Sequence, residues 1–167
     1  MRVLGIDPGT AITGYGLVDF AEELRLVECG AIVTPVGMTL PQRLLIIHRR
    51  LSELILQYQP QAVAVEELFF SKNVRTAMSV GQARGVVLLA AAQAAVPIYH
   101  YTPSEVKQSI AGYGAASKPQ MQEMVRLLLN LDAVLTPDDV ADAVAIAICH
   151  AHGAHWNQLL TDDEPLD

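Results

Sequence analysis

Three apolar runs open the chain, and the connections between them are short. The runs cover residues 3–7, 13–20 and 24–33, and the first ends at the turn sequence Asp7-Pro8-Gly9. A parallel crossover needs a dozen or more residues, so connections of this length join antiparallel neighbours. The first third of the chain therefore predicts three antiparallel strands.

The rest of the chain alternates helices with two shorter strands. Apolar residues recur at helical spacing over residues 41–58, and Thr39 with Gln42 has the pattern of a capping box. We expect further strands at residues 62–65 and 97–101, and further helices at residues 73–95, 118–131 and 137–152. This order predicts an α/β fold of the ribonuclease-H-like kind. Its sheet has five strands, three antiparallel and then two parallel, and is flanked by helices.

Length and composition fit one soluble domain. The chain has 167 residues, of which 51% are hydrophobic and 17% charged, which argues against disorder. The longest apolar run, residues 86–92, is too short for a bilayer, and no signal peptide is visible. Cys29 and Cys149 lack metal or redox spacing, which is compatible with a reducing cytoplasm. We expect a cytoplasmic protein with one ribonuclease-H-like domain over residues 1–155 and an acidic, frayed tail over residues 156–167.

Charge is distributed unevenly along the chain. The net charge is −7, yet residues 68–130 hold six basic and two acidic residues, a balance of +4. The remainder holds five basic and sixteen acidic residues, a balance of −11. The basic stretch is typical of a local phosphate-binding surface, although solvated charge on helix faces would give the same pattern.

Acidic residues stand at the ends of predicted elements. Asp7 ends the first strand, and Glu66 and Glu67 end the fourth; strand alternation lets only one of that pair share a site with Asp7. Asp139 and Asp142 are three residues apart and lie on one face of the last helix. Each of these acids except Asp142 also has a plain structural explanation: Asp7 can form a turn, Glu66 and Glu67 can be exposed at a strand end, and Asp139 can cap the helix. Asp142 lies in an apolar run, where an ionised carboxylate is costly unless it is paired or binds a cation.

A cluster of these carboxylates would repel itself unless cations neutralised it. Ligands that are all oxygen suit Mg²⁺ or Mn²⁺, and two such ions activate a water and stabilise a leaving oxygen in phosphodiester hydrolysis. The weaker alternative is a zinc site at His150, His152 and His155. Histidines there are also favoured by the dipole of a helix C-terminus.

Several short motifs, taken in order, resemble the RuvC family of Holliday-junction resolvases over residues 2–152. They are GIDPGT and TGYG near the start, EELFF at residues 66–70, GQARG at 81–85, VKQ at 106–108 and DVADA at 139–143. The resemblance implies a ribonuclease-H-like fold. It also implies four catalytic, metal-binding acids, with Glu66 favoured over Glu67: Asp7, Glu66, Asp139 and Asp142.

The same resemblance implies DNA contacts. Lys107 and Lys118 match positions near the scissile phosphate, and Phe69 matches an aromatic residue that contacts opened bases. Further candidates for DNA binding lie in the basic stretch: Lys72, Arg75 and Arg84.

The implied activity is a structure-selective endonuclease. It makes paired symmetric nicks in four-way DNA junctions during homologous recombination and recombinational repair. The implied assembly is a homodimer with two Mg²⁺ per active site, for which Mn²⁺ substitutes, acting with the RuvA and RuvB branch-migration proteins and without a membrane. Three alternatives stay open: a YqgF-type nuclease that processes ribosomal RNA, an actin- or sugar-kinase-like ATPase, and a non-catalytic DNA-architecture protein.

Overall fold

The computed structural model describes the backbone of residues 1–67 and 74–162 and the side chains of residues 1–67 and 77–154. These parts of the chain form five strands and five helices. In chain order they are β1 (Arg2–Asp7), β2 (Ile12–Phe20), β3 (Leu24–Val33), α1 (Leu40–Tyr58), β4 (Ala62–Glu66), α2 (Val74–Gln93), β5 (Ile98–Tyr101), α3 (Pro103–Ala111), α4 (Lys118–Leu128) and α5 (Asp138–Asp162).

The strands form one mixed sheet in the order β3-β2-β1-β4-β5. The first three strands pair antiparallel, while β4 lies parallel to β1 and β5 parallel to β4. The predicted α/β architecture, with three antiparallel strands followed by two parallel ones, is therefore confirmed. The central strand is β1, which ends at Asp7.

Helices cover both faces of the sheet. Strand alternation sends Val3 and Ala64 toward α5, with α3 and α4 packed on the far side of that helix. Leu4 and Val63 point the other way, into a second core cluster with α1 and α2. The α5 residues over 140–151 are almost all apolar and buried, which explains why this helix lies in the interior.

Glycines on the central strands let α5 lie directly on the sheet. A Cβ atom at Gly5 would collide with the backbone carbonyl of Ala143, and one at Gly14 would collide with that of Asp139. Gly14 is the cross-strand partner of Asp7. The motif glycines therefore bring the start of α5 directly over the end of β1.

The helix starts follow the capping chemistry of the sequence, and one of these helices, α3, is not predicted. Before α1, the amide of Thr39 donates to Gln42 Oε1 at 2.9 Å, which confirms the predicted capping box. The sequence prediction lacks α3, although Thr102 and Glu105 carry the same signal. The Thr102 amide donates to Glu105 Oε2 at 2.7 Å, and the Glu105 amide donates to Thr102 Oγ1 at 3.2 Å. This helix carries Lys107.

The last helix is longer than predicted. The apolar periodicity ends near residue 152, but α5 continues to Asp162. The predicted frayed tail over residues 156–167 is therefore helical in its first part, and residues 163–167 lie outside the described residues. None of the described helices combines the length and apolar character needed to cross a membrane.

Candidate active site

Asp7 and Glu66 end two neighbouring parallel strands. Ile6 pairs with Val65 across β1 and β4, and both side chains belong to the core cluster under α1 and α2. The next residue on each strand, Asp7 and Glu66, therefore faces the other side of the sheet, toward α5. Glu67 follows with the opposite orientation, and its amide donates to the Tyr101 carbonyl at 2.8 Å. The strand register thus supports the choice of Glu66 over Glu67.

The start of α5 brings two more acids to the same place. The backbone of Asp139 passes over Gly14, the partner of Asp7, and Asp142 lies almost one turn further along the helix. Burial raises the pKa of Asp7 from 3.8 to about 7, and the charges of Glu66, Asp142 and Asp139 add to this shift. The three other predicted acids are therefore all within electrostatic reach of Asp7.

The cluster holds more negative charge than its lysines neutralise. Burial raises the pKa of Glu66, the charge of Asp142 raises it further, and Lys107 and Lys118 oppose the change. Burial also raises the pKa of Asp142, against the hydrogen bond and charge of Lys118. Burial and the repulsion between neighbouring carboxylates therefore both disfavour the ionised forms, and the lysines offset this only in part.

Lys118 is the cation closest to the cluster in the described contacts. Its Nζ lies 3.1 Å from Asp142 Oδ2 and 3.2 Å from Asp138 Oδ2. Burial lowers its pKa, but hydrogen bonds to Asp142 and Asp138 prevail and raise it. Asp138 is the neighbour of Asp139, and from the sequence the spacing to Asp142 favours Asp139 as the third acid while a contribution of Asp138 to the metal site stays open. Asp138 stands four positions before Asp142, which places both on one face of α5.

A cavity of about 280 Å³ opens beside these residues. Two acids, Glu66 and Asp142, and two predicted DNA-binding residues, Lys107 and Lys118, line it. Its remaining wall is largely apolar: Pro103, Val106, Met121, Ala145 and Ile146. A larger cavity of about 610 Å³ lies between α1 and α2, but no charged residue lines it. The smaller cavity therefore combines two of the predicted acids with two of the predicted DNA-binding lysines.

The other predicted DNA contacts are placed differently. Arg84 Nη2 lies 2.9 Å from His100 Nδ1, and its Nε donates to the Glu66 carbonyl at 3.4 Å. These contacts tie α2 to the end of β4, and a DNA contact by Arg84 stays a prediction. The side chains of Phe69, Lys72 and Arg75 lie outside the described residues.

The zinc alternative finds no support where the structure describes it. His150 is buried, its Nδ1 lies 2.7 Å from the Tyr101 hydroxyl oxygen, and burial lowers its pKa. The side chain of His155 lies outside the described residues. Over residues 1–67 and 77–154, no three His, Cys, Asp or Glu side chains converge as they stand on one point from which all could bind a metal ion.

The oxygen donors nevertheless fit a hard divalent cation. Asp7 is a half-buried carboxylate among three others, and among the described residues the ammonium group of Lys118 is bound to Asp142. Mg²⁺ and Mn²⁺ prefer carboxylate oxygens and would supply the missing positive charge.

Comparison with known proteins places this geometry in a family. The family model described as "Crossover junction endodeoxyribonuclease RuvC" matches residues 3–150. The protein of that name from Chloroflexus aggregans is 61% identical over 155 residues, covering 92% of this chain and 94% of its own. The Roseiflexus protein of that name is 58% identical over 154 residues, covering 92% of each chain.

Solved structures agree with the sequence comparison. Thermus thermophilus RuvC in complex with a Holliday junction substrate has 42% identity and a TM-score of 0.89, covering 94% of this chain and 96% of its own. The yeast mitochondrial Holliday junction resolvase Ydc2 has 15% identity and a TM-score of 0.64, which shows a shared fold alone. The chain belongs to the RuvC family of crossover junction endodeoxyribonucleases.

Proposed function

We propose that this chain is a Holliday-junction resolvase that hydrolyses phosphodiester bonds at the carboxylate cluster around Asp7. It makes paired symmetric nicks in four-way DNA junctions during homologous recombination and recombinational repair. The observation that carries the proposal is the site itself: the pKa values of Asp7, Glu66 and Asp142 are raised, and two of these acids line a cavity together with Lys107 and Lys118. Membership of the RuvC family supplies the reaction class.

The family is metal-dependent. For this chain we propose two Mg²⁺ ions per active site, for which Mn²⁺ can substitute. The proposed ligands are Asp7, Glu66, Asp139 and Asp142. When bound, two such ions activate a water for attack and stabilise the leaving oxygen. Because the carboxylates do not converge as they stand, metal binding requires them to turn toward one another and Lys118 to release Asp142.

The protein's own part is to hold the substrate strand. Lys107 and Lys118 line the cavity beside Glu66 and Asp142, which supports the proposal that their ammonium groups bind the scissile phosphate and its neighbour. The rest of the cavity wall is formed by apolar residues of α3, α4 and α5. Phe69, Lys72, Arg75 and Arg84 are proposed to contact DNA outside this cavity.

The substrate also suggests the assembly. A four-way junction that is cut twice in a symmetric way suits a two-fold dimer in which each subunit carries one site. We therefore propose a homodimer that works with the RuvA and RuvB proteins in the cytoplasm.

The test uses a synthetic mobile four-way junction, a matched linear duplex and an RNA/DNA hybrid, each incubated with protein and Mg²⁺. Paired symmetric nicks on the junction alone, absent with Asp7→Asn, are the expected result. Cleavage of the hybrid or of structured RNA instead would move the substrate to the RNA-processing alternative. Tight junction binding without any cleavage would indicate an architectural protein.

A further inference from the structure

Asp138 lies next to the proposed site but outside the set of four acids. It is the first residue of α5 and is more than half exposed, with 58% of its side chain accessible. An acid at this position is favoured by the helix dipole, and that interaction requires no side-chain partner.

The side chain of Asp138 nevertheless has two partners, both from α4. Its Oδ2 lies 3.2 Å from Lys118 Nζ, and its Oδ1 accepts a hydrogen bond from Gln122 Nε2 at 2.8 Å. Lys118 and Gln122 stand four residues apart, so they share one face of α4. The carboxylate is therefore held by Gln122 at one oxygen while the other oxygen holds Lys118.

Lys118 is shared between two acids with different surroundings. Its Nζ lies 3.1 Å from Asp142 Oδ2 and 3.2 Å from Asp138 Oδ2. Asp142 is one of the proposed metal ligands, and a cation that binds it would compete with the ammonium group. Asp138 would still hold the lysine at the mouth of the cavity. A long side chain that is 50% exposed has many rotamers, so an anchor of this kind limits where its charge lies.

We propose that Asp138, held by Gln122, is a positioning residue that keeps the Lys118 ammonium group at the edge of the carboxylate cluster, where it meets the substrate phosphate. The inference rests on the proposed function, because it assigns a role toward the same reaction. Asp138 itself touches neither the proposed metal nor the phosphate.

The first test needs no cleavage. The protein in EDTA is treated briefly with an amine-acylating reagent, and mass spectrometry measures modification of Lys118 relative to Lys107. An ion pair at an exposed site is worth up to about 1 kcal/mol, so Asp138→Asn should raise the relative labelling of Lys118 about two- to fivefold. Asp138→Glu keeps the carboxylate and should restore slow labelling.

Glu123→Gln is the matched control, since Glu123 is an exposed acid of α4 that pairs with Arg126 at 2.7 Å. It removes one negative charge close to Lys118 in sequence without touching its partners, and should leave the Lys118 labelling unchanged. Unchanged labelling in Asp138→Asn, or an equal rise in Glu123→Gln, would overturn the inference.

The second test separates binding from turnover. Under single-turnover conditions with saturating enzyme, Asp138→Asn should cleave the junction about fivefold more slowly, with a Kd that is equal or lower because a negative charge is removed. Asp138→Glu should recover most of the rate. A normal rate in Asp138→Asn would refute the positioning role while the wild-type protein still cut junctions. Absence of cleavage by the wild-type protein would instead refute the proposed function, and the labelling result would still stand on its own.

Discussion

Replacing Asp7 with Asn should stabilise the metal-free protein at alkaline pH. Asp7 is an acid whose pKa is raised in the folded state from 3.8 to about 7, first by burial and then by three neighbouring carboxylates. Between these two values the folded state binds more protons than the unfolded state. The free energy of unfolding therefore falls as the pH rises through this window, and an uncharged Asn removes that loss.

The size of the effect follows from the shift. About three pKa units at about 1.36 kcal/mol each set an upper value of about 4 kcal/mol above pH 7. Near pH 4.5 the same relation leaves only about 1 kcal/mol. For a chain of this length, about 2–4 °C in Tm accompany each kcal/mol, so Asp7→Asn should gain at most about 8–16 °C at pH 8.

The assay is thermal unfolding in EDTA at several pH values, with Asp19→Asn as the matched control. Asp19 accepts two hydrogen bonds from the Arg2 guanidinium group, each 2.8 Å long, and this pairing lowers its pKa. Its contribution is present at pH 8 and lost as the pH falls, so Asp19→Asn should lower the Tm at pH 8. Adding Mg²⁺ should raise the Tm of the wild-type protein more than that of Asp7→Asn.

An unchanged or lower Tm for Asp7→Asn at pH 8 in EDTA, with Asp19→Asn behaving as expected, would refute the reasoning. It would mean that the carboxylate of Asp7 is already neutralised in the folded protein. The cluster would then have no electrostatic need for a divalent cation.

Three further predictions address DNA binding, packing and metal dependence. Lys107→Met and Lys118→Met should each lower the salt slope of junction binding by about one, whereas Arg126→Met, whose guanidinium group pairs with an acid of its own helix, should leave it unchanged. Gly5→Ala should cost about 1–3 kcal/mol or prevent folding, since its Cβ would strike the α5 backbone. Gly85→Ala, in a helix with open space around it, should instead gain up to about 1 kcal/mol. Chelation of divalent metal should abolish cleavage and leave junction binding intact, and Mg²⁺ or Mn²⁺ should restore cleavage.

Each of these has a contrary outcome. Equal slopes for all three cation variants in filter-binding titrations would remove the two lysines from the DNA interface. A wild-type Tm for Gly5→Ala would contradict the close approach of α5 to the sheet. Cleavage that continues in EDTA would exclude a catalytic role for exchangeable metal.

Much of the fold follows from local signals in the sequence. Short turns between the first three apolar runs require antiparallel pairing, and the later alternation of strands and helices gives the parallel pair. Helix α3 is the one described helix that the sequence pattern does not predict. Its start nevertheless has a capping box, formed by Thr102 and Glu105, like the one formed by Thr39 and Gln42 at the start of α1. Nine residues hold too few apolar repeats to show a period, so the cap is the only local sign of this helix. The apolar periodicity predicts that α5 ends near residue 152, because the residues beyond that point no longer repeat at helical spacing, whereas the helix continues to Asp162.

The identities of the candidate residues could also be proposed from the sequence, but their arrangement could not. Asp7 and Glu66 share a face because Ile6 pairs with Val65, and pairing between strands nearly sixty residues apart is set by tertiary packing. Lys118 could be assigned to phosphate from its motif, whereas its sharing between Asp142 and Asp138 depends on how α4 lies against α5. A DNA contact by Arg84 stays a prediction, and only the structure shows that its Nε donates to the Glu66 carbonyl at the end of β4.

Sequence by itself determined the five strands, four of the five described helices and the family to which the chain belongs, and it indicated the four candidate acids. These properties depend on periodicity, turn chemistry and motif spacing, all of which act over a few residues. The tertiary structure alone decided which carboxylates lie near Asp7, how far burial raises their pKa values and which acids pair with Lys118. The physical reason is that the site is made by the close approach of α5 to the glycines of β1 and β2. Its electrostatics arise from burial between elements that lie far apart in the chain.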